Sequence, residues 1–157
     1  MQKLCPDITM VTPDAPIAAN THGGRAKCLQ RLVRLDMPVP GTVALSFDTV
    51  AAIASGDTPD MTKLMAPFGT APILCVRPSS QDPDWGGPRA LLNIGMNDER
   101  YAELSQEIGQ EAAASLYQRF VQSYAVHVAR VDADLFDDCG DHPEEALRCA
   151  LAAYEEE

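Results

Sequence analysis

From Asp98 onward the apolar residues of this chain recur almost only at intervals of three and four, and that single change of period constrains the fold more than anything else in the sequence. Tyr101, Leu104 and Ile108 make one short face. Gly109 separates it from a longer one carried by Ala113, Leu116, Tyr117, Phe120, Tyr124, Val128 and Val131. A last helix from Glu144 to about Glu156 sets Leu147, Ala150, Leu151 and Tyr154 on one side, behind Pro143 near its first turn. Before Asp98 strands and helices alternate. The expectation is therefore an α+β chain, a single domain over 1–157 with a mixed lobe at 1–97 and a helical part at 98–157.

Within the mixed lobe, residues 1–20 carry Pro6, Pro13 and Pro16 and read as coil with one short strand. Gly23 to Asp36 has a helical period in Ala26, Leu29, Leu32, Val33 and Leu35, opposed by Arg25, Lys27, Gln30, Arg31 and Arg34. Met37-Pro38-Val39-Pro40-Gly41 ends that helix, because residues before proline avoid the α region. Thr42 to Ser46 reads as a buried strand, Asp48 to Ala54 as a short helix with an Asx-type cap, and Met61 to Ala66 as another short helical stretch. Strands follow at Pro72 to Arg77 and at Ala90 to Ile94, separated by a Gly- and Pro-rich loop from Pro78 to Pro88.

Charge narrows the function classes. Twelve Lys and Arg face 23 Asp and Glu, a formal net charge of −11. Such a balance argues against nucleic acid, whose phosphates are held by clustered cations, and equally against an anionic membrane surface. No stretch is long and apolar enough to span a bilayer, and the first residues lack the apolar run of a secretory signal, so a cytoplasmic location is expected. The five cysteines are odd in number and widely spaced, which predicts reduced, structural thiols. His22, His127 and His142 form no local metal motif. Ten of the acidic residues fall in 132–157, where a solvated helical face is the simple reading.

Three places can carry chemistry. Gly23-Gly24-Arg25 opens the most basic stretch, Arg25 to Arg34, with four of the twelve cations. Amides at a helix start, glycines that admit an anion and a nearby guanidinium make a phosphate cradle; a capped helix with a solvated basic face is the alternative. Arg77 ends an apolar strand and enters the loop, where α/β sheets gather ligands, or else it pairs with Asp82 or Asp84. Arg119 stands beside the apolar face of the long helix, as a ligand contact or as an arginine in an ion pair or with its stem buried. No nucleophile has a recognisable base nearby, no carboxylates pair at a telling spacing, and no complete Walker loop occurs.

Several stretches, in order, resemble the N-terminal nucleotide-binding domain of the pyruvate, phosphate dikinase and phosphoenolpyruvate synthase family. Gly23-Gly24-Arg25-Ala26 to Pro38-Val39-Pro40-Gly41 resembles GGKxANL…GxPVPPGF. Cys75-Val76-Arg77 and Leu91-Leu92-Asn93-Ile94-Gly95-Met96-Asn97-Asp98 resemble SVRSG…VLNLGLND at the family's separation. Tyr117 to Gln122 resembles YRRFIQ, Asp134-Leu135-Phe136 the later DLF, and Pro143 to Tyr154 the helix DPxEQLxxAIxAVF. The likeness covers about residues 20 to 154.

The resemblance implies an ATP-grasp-like N-terminal lobe, a small sheet with packed helices, followed by a helical subdomain, and a kinase activity that uses ATP with Mg2+ to phosphorylate a carrier histidine elsewhere in the enzyme. It implies that Arg25 stands where the family has a lysine facing the phosphates, that Arg77 is the phosphate-binding arginine, and that Gly23, Gly24, Gly86 and Arg119 complete the nucleotide-facing set. Arginine keeps the charge but replaces a compact ammonium by a planar fork. The loop around Gly86 departs from the family's ARVSMPGMMDT: Gln81 replaces its arginine, and Asp82 and Asp84 add carboxylates where a triphosphate needs cations. The chain also stops before the family's second half, which holds the metal ligands. The expectation is thus an ATP-binding lobe inactive alone, awaiting a protein that supplies the missing half. A non-catalytic interaction or regulatory module derived from that lobe is the alternative.

Overall fold

A computed structural model describes residues 8–82 and 90–155. The fold is α+β, predominantly helical, with two separate two-stranded antiparallel sheets. The chain forms two compact units, residues 8–70 with 78–82 and residues 71–77 with 90–155. The second hairpin thus belongs with the helices, whereas the sequence grouped it with the mixed lobe.

In the first unit, β1 (Ile8–Met10) pairs antiparallel with β2 (Val43–Leu45), Thr9 opposite Ala44. Helix α1 (Ala19–Arg34) starts four residues before the expected Gly23 and is broken there, where φ is +83° and ψ 166°. Val11, Ile17, Ala26 and Ala44 form the small core, with Leu29 and Val33 against it. A polar device supplements that core. Gln30 is fully buried, and its Nε2 donates to the carbonyls of Ala15 (2.6 Å), Thr12 (3.1 Å) and Pro13 (3.4 Å). Lys27 Nζ bridges from Gln30 Oε1 (2.8 Å) to the carbonyl of Ile17 (2.9 Å), and Arg34 Nε donates to Pro13 (2.7 Å). The proline-rich entry, whose carbonyls have no strand or helix to bond to, is thereby tied to α1.

Helix α2 (Phe47–Ala54) is capped by Ser46, not by the Asx-type residue expected at Asp48: the Ser46 hydroxyl accepts the Thr49 N–H at 3.2 Å, and Asp48 lies within the first turn. Asp60 caps α3 (Met61–Met65) by accepting the N–H of Lys63, and that bond holds its carboxyl below the usual carboxylate range.

In the second unit, β3 (Leu74–Val76) pairs antiparallel with β4 (Leu91–Ile94) across an irregular register. Cys75 and Val76 are exposed, so this hairpin is covered on less of its surface than its apolar sequence suggested. Asn97 caps α4 (Asp98–Ile108), its side chain accepting the Arg100 N–H at 2.8 Å. Helix α5 (Gln110–Tyr124) follows Gly109 and ends in a π-helical turn, Ala125–Ala129, closed by a left-handed Arg130 and by Val131 N–H on the Ala125 carbonyl (3.0 Å). A 3-10 segment (Ala133–Cys139) leads to α6 (Pro143–Glu155).

Ala113, Ala114, Ala125, Ala146 and Ala150 line the contact of α5 and α6 with Tyr117, Val121 and Leu147, small side chains that let the helices approach closely. The buried edge of α5 therefore runs through Val121 and Ala125, and Tyr124 and Val128, expected inside, face outward. Cys139 and Cys149 form a disulfide between the 3-10 segment and α6, with Cα atoms 5.3 Å apart. This corrects the expectation of reduced thiols for that pair. Cys28 and Cys75 are free and exposed.

Candidate functional site

The opening of α1 is built by two segments distant in sequence. At Gly23 the backbone takes a combination of φ and ψ that is essentially glycine's alone. The same glycine admits Ser79, whose backbone carbonyl occupies the space a Cβ would need. Helix amides beyond this break lack partners in the preceding turn, and the serines supply them. Gly24 N–H donates to the Ser80 carbonyl at 2.7 Å, and Ala26 N–H donates to Ser79 Oγ at 3.1 Å. Arg25, between them, is exposed. Next to the glycines, His22 is 4% exposed; its Nδ1 lies 2.8 Å from Thr21 Oγ1, and its Nε2 has no hydrogen-bond partner.

From sequence Gly23-Gly24-Arg25 is either a phosphate cradle or a capped helix start with a solvated basic face. In the structure two of its amides are already bonded within the chain, and an anion using them must displace the Ser80 carbonyl or the Ser79 hydroxyl. Ser79 and Ser80 were missed because they lie in a proline- and serine-rich stretch that carries no periodicity.

Arg77 follows β3 and is exposed, in the second unit. The rule that ligands gather at strand C-termini holds for parallel sheets, where those ends share one edge; β3 runs antiparallel to β4, so that argument does not transfer to Arg77. Gly86 and Asp84 lie outside the described residues.

Arg119 is exposed on α5 and lines a groove of about 480 Å3 in the second unit. Gln122, Ser123, Val126 and His127 continue its wall, Ala90 and Leu92 come from the β4 side, and Ala133, Phe136 and Asp137 from the 3-10 segment. Ser123 is committed to structure, accepting the Leu92 N–H (3.2 Å) and donating to the Phe120 carbonyl (3.1 Å). A smaller hollow of about 190 Å3, among Tyr117, Phe120, Tyr124, Leu151 and Tyr154, is almost wholly apolar.

Tyr117 itself is tied to structure. Its hydroxyl donates to Asp98 at 3.0 Å, and burial, reinforced by the Asp98 carboxylate, pushes its pKa up to about 12. Among the described residues no three His, Cys, Asp or Glu side chains stand together as a metal site. The described residues therefore offer no carboxylate set for a resident Mg2+. No described helix is long and apolar enough to cross a membrane. No family model and no curated protein matches the chain.

Proposed function

We propose that the opening of α1 and the Ser79–Ser80 turn are the phosphate-facing wall of an ATP-grasp-like nucleotide lobe, of the kind found in pyruvate, phosphate dikinases. One observation carries this reading: two stretches 53 residues apart, which the family resemblance assigns to one nucleotide, are joined through Ser79 Oγ and the Ala26 amide. Arg25 offers an exposed guanidinium there, and an anion replacing the Ser80 carbonyl takes over the Gly24 amide. Phosphoryl transfer depends on metal and cations placed around the transferred group. The described residues hold no carboxylate cluster for that purpose. The proposal is therefore binding of ATP, brought with its own Mg2+, without turnover unless further polypeptide supplies the remaining groups.

Arg25→Ala tests it. The expected result is a loss of Mg-ATP affinity of roughly tenfold, the scale of a hydrogen bond to a charged group, with an unchanged melting temperature. Equal affinity in the variant contradicts the assignment.

A non-catalytic interaction or regulatory module is the second reading. It is favoured by the internal use of the Gly24 and Ala26 amides, and by Val50 and Ile53, exposed one turn apart on α2. Substituting those two side chains by serine leaves an ATP-binding lobe unaffected and abolishes association of an interaction module.

A further inference from the structure

The disulfide between Cys139 and Cys149 fastens one wall of the groove in the second unit. That wall is the 3-10 segment, Ala133–Cys139, whose Ala133, Phe136 and Asp137 line the hollow. The segment's own hold on the unit is slight. Of its residues only Phe136 and Cys139 are buried, and the rest are exposed. A 3-10 run has poorer hydrogen-bond geometry than an α-helix, and Asp132, Asp134, Asp137 and Asp138 put like charges along this one. The backbone takes positive φ at Arg130 and at Gly140, so a turn bounds the segment on either side. Ala113, Val121, Leu147 and Ala150, by contrast, pack α5 against α6, a pair of helices that the bridge does not link.

We propose that the Cys139–Cys149 bridge is a redox-controlled latch: a dithiol reductant opens it and releases the 3-10 wall of the groove, with Phe136 leaving the core, while α5 and α6 stay packed. Such local opening is drawn from the least buried parts of a fold. The approach is from Cys149, which is half-buried where Cys139 is 5% exposed. One thiolate of the reductant attacks Cys149 Sγ and forms a mixed disulfide; the Cys139–Cys149 bond breaks, and its electron pair leaves on Cys139 Sγ, which takes up a proton. The reductant's second thiolate then attacks its own sulfur in the mixed disulfide, closing the oxidised reductant and releasing Cys149 as a thiol. Two cysteines are thereby reduced and one dithiol oxidised. The proposal rests on the second unit alone and does not depend on ATP binding.

The test follows amide hydrogen exchange in the full chain as oxidised, after dithiothreitol, and after reoxidation with oxidised glutathione. Amides of residues 135–139 are expected to exchange roughly tenfold or more faster in the reduced chain, those of residues 113–121 to stay within about twofold, and reoxidation to restore the slow rates. The double variant Cys139→Ser with Cys149→Ser is expected to match the reduced chain without any reductant. Dithiothreitol is expected to change nothing further in it, which separates the latch from any effect at Cys28 or Cys75. Unchanged exchange at 135–139 on reduction overturns the proposal, because the segment is then held without the bridge. An equal rise in α5 also overturns it, since the bridge is then a staple of the whole unit, and so does a failure of reoxidation to restore protection.

Discussion

Gly24 and Ser80, 56 residues apart in sequence, are joined by a backbone hydrogen bond of 2.7 Å at the point where α1 resumes after its break. The bond exists because Gly23 turns the chain through a conformation closed to other residues and leaves room for the Ser79 backbone.

Gly23→Ala is expected to destabilise the protein by about 1–3 kcal/mol from backbone strain alone, with the clash against Ser79 adding to it. Gly24→Ala is the control, since its Cβ meets only the Ser80 carbonyl at an ordinary 3.6 Å. Urea unfolding followed by circular dichroism separates the two.

Gln30→Leu removes the donor shared by three carbonyls and the acceptor of Lys27. Each carbonyl keeps one other donor, Ile17 N–H on Ala15, Ala15 N–H on Thr12 and Arg34 Nε on Pro13, and Lys27 keeps Ile17, so the loss is that of ordinary hydrogen bonds, about 0.5–1.5 kcal/mol each, and a fall in melting temperature is expected. An unchanged melting temperature means that water replaces the amide.

How much of this was legible in the sequence follows from these residues. The helical stretches announced themselves by period, and the strands by short apolar runs between turn residues. Gln30 reads as surface polar on any wheel, because only the position of the proline-rich entry reveals its three carbonyl partners. The break at Gly23 and the capping by Ser79 depend on a contact across 56 residues that no local pattern encodes. Arg119 stands out by its place beside the apolar face, whereas its sharing of one groove with His127 and Asp137 exists only in the folded chain. The cysteine spacing concealed a pair, since Cys139 and Cys149 meet only after the chain turns into α6.

That disulfide predicts that peptides containing Cys139 and Cys149 stay linked in a non-reduced digest. Closing so short a loop contributes about 2–3 kcal/mol, so a reductant is expected to lower the melting temperature. Two separate peptides, each with a free thiol, contradict the pairing.

Tyr117 gives a pH-dependent prediction. Its raised folded pKa favours the neutral phenol, so its contribution to stability is full below about 10, the ordinary tyrosine value, and is lost as pH rises towards about 12. Absorbance titration is expected to show one of the four tyrosines ionising late, and Tyr117→Phe to remove that step.

The account's central claim is that this chain binds a nucleoside triphosphate at the opening of α1, and calorimetric titration of the whole chain with Mg-ATP, beside its melting temperature, tests it most directly. A ligand that binds only the folded state raises its stability, so the account predicts saturable heat and a higher melting temperature in the unaltered chain, both diminished in Arg25→Ala. No heat and no shift at saturating Mg-ATP would contradict it.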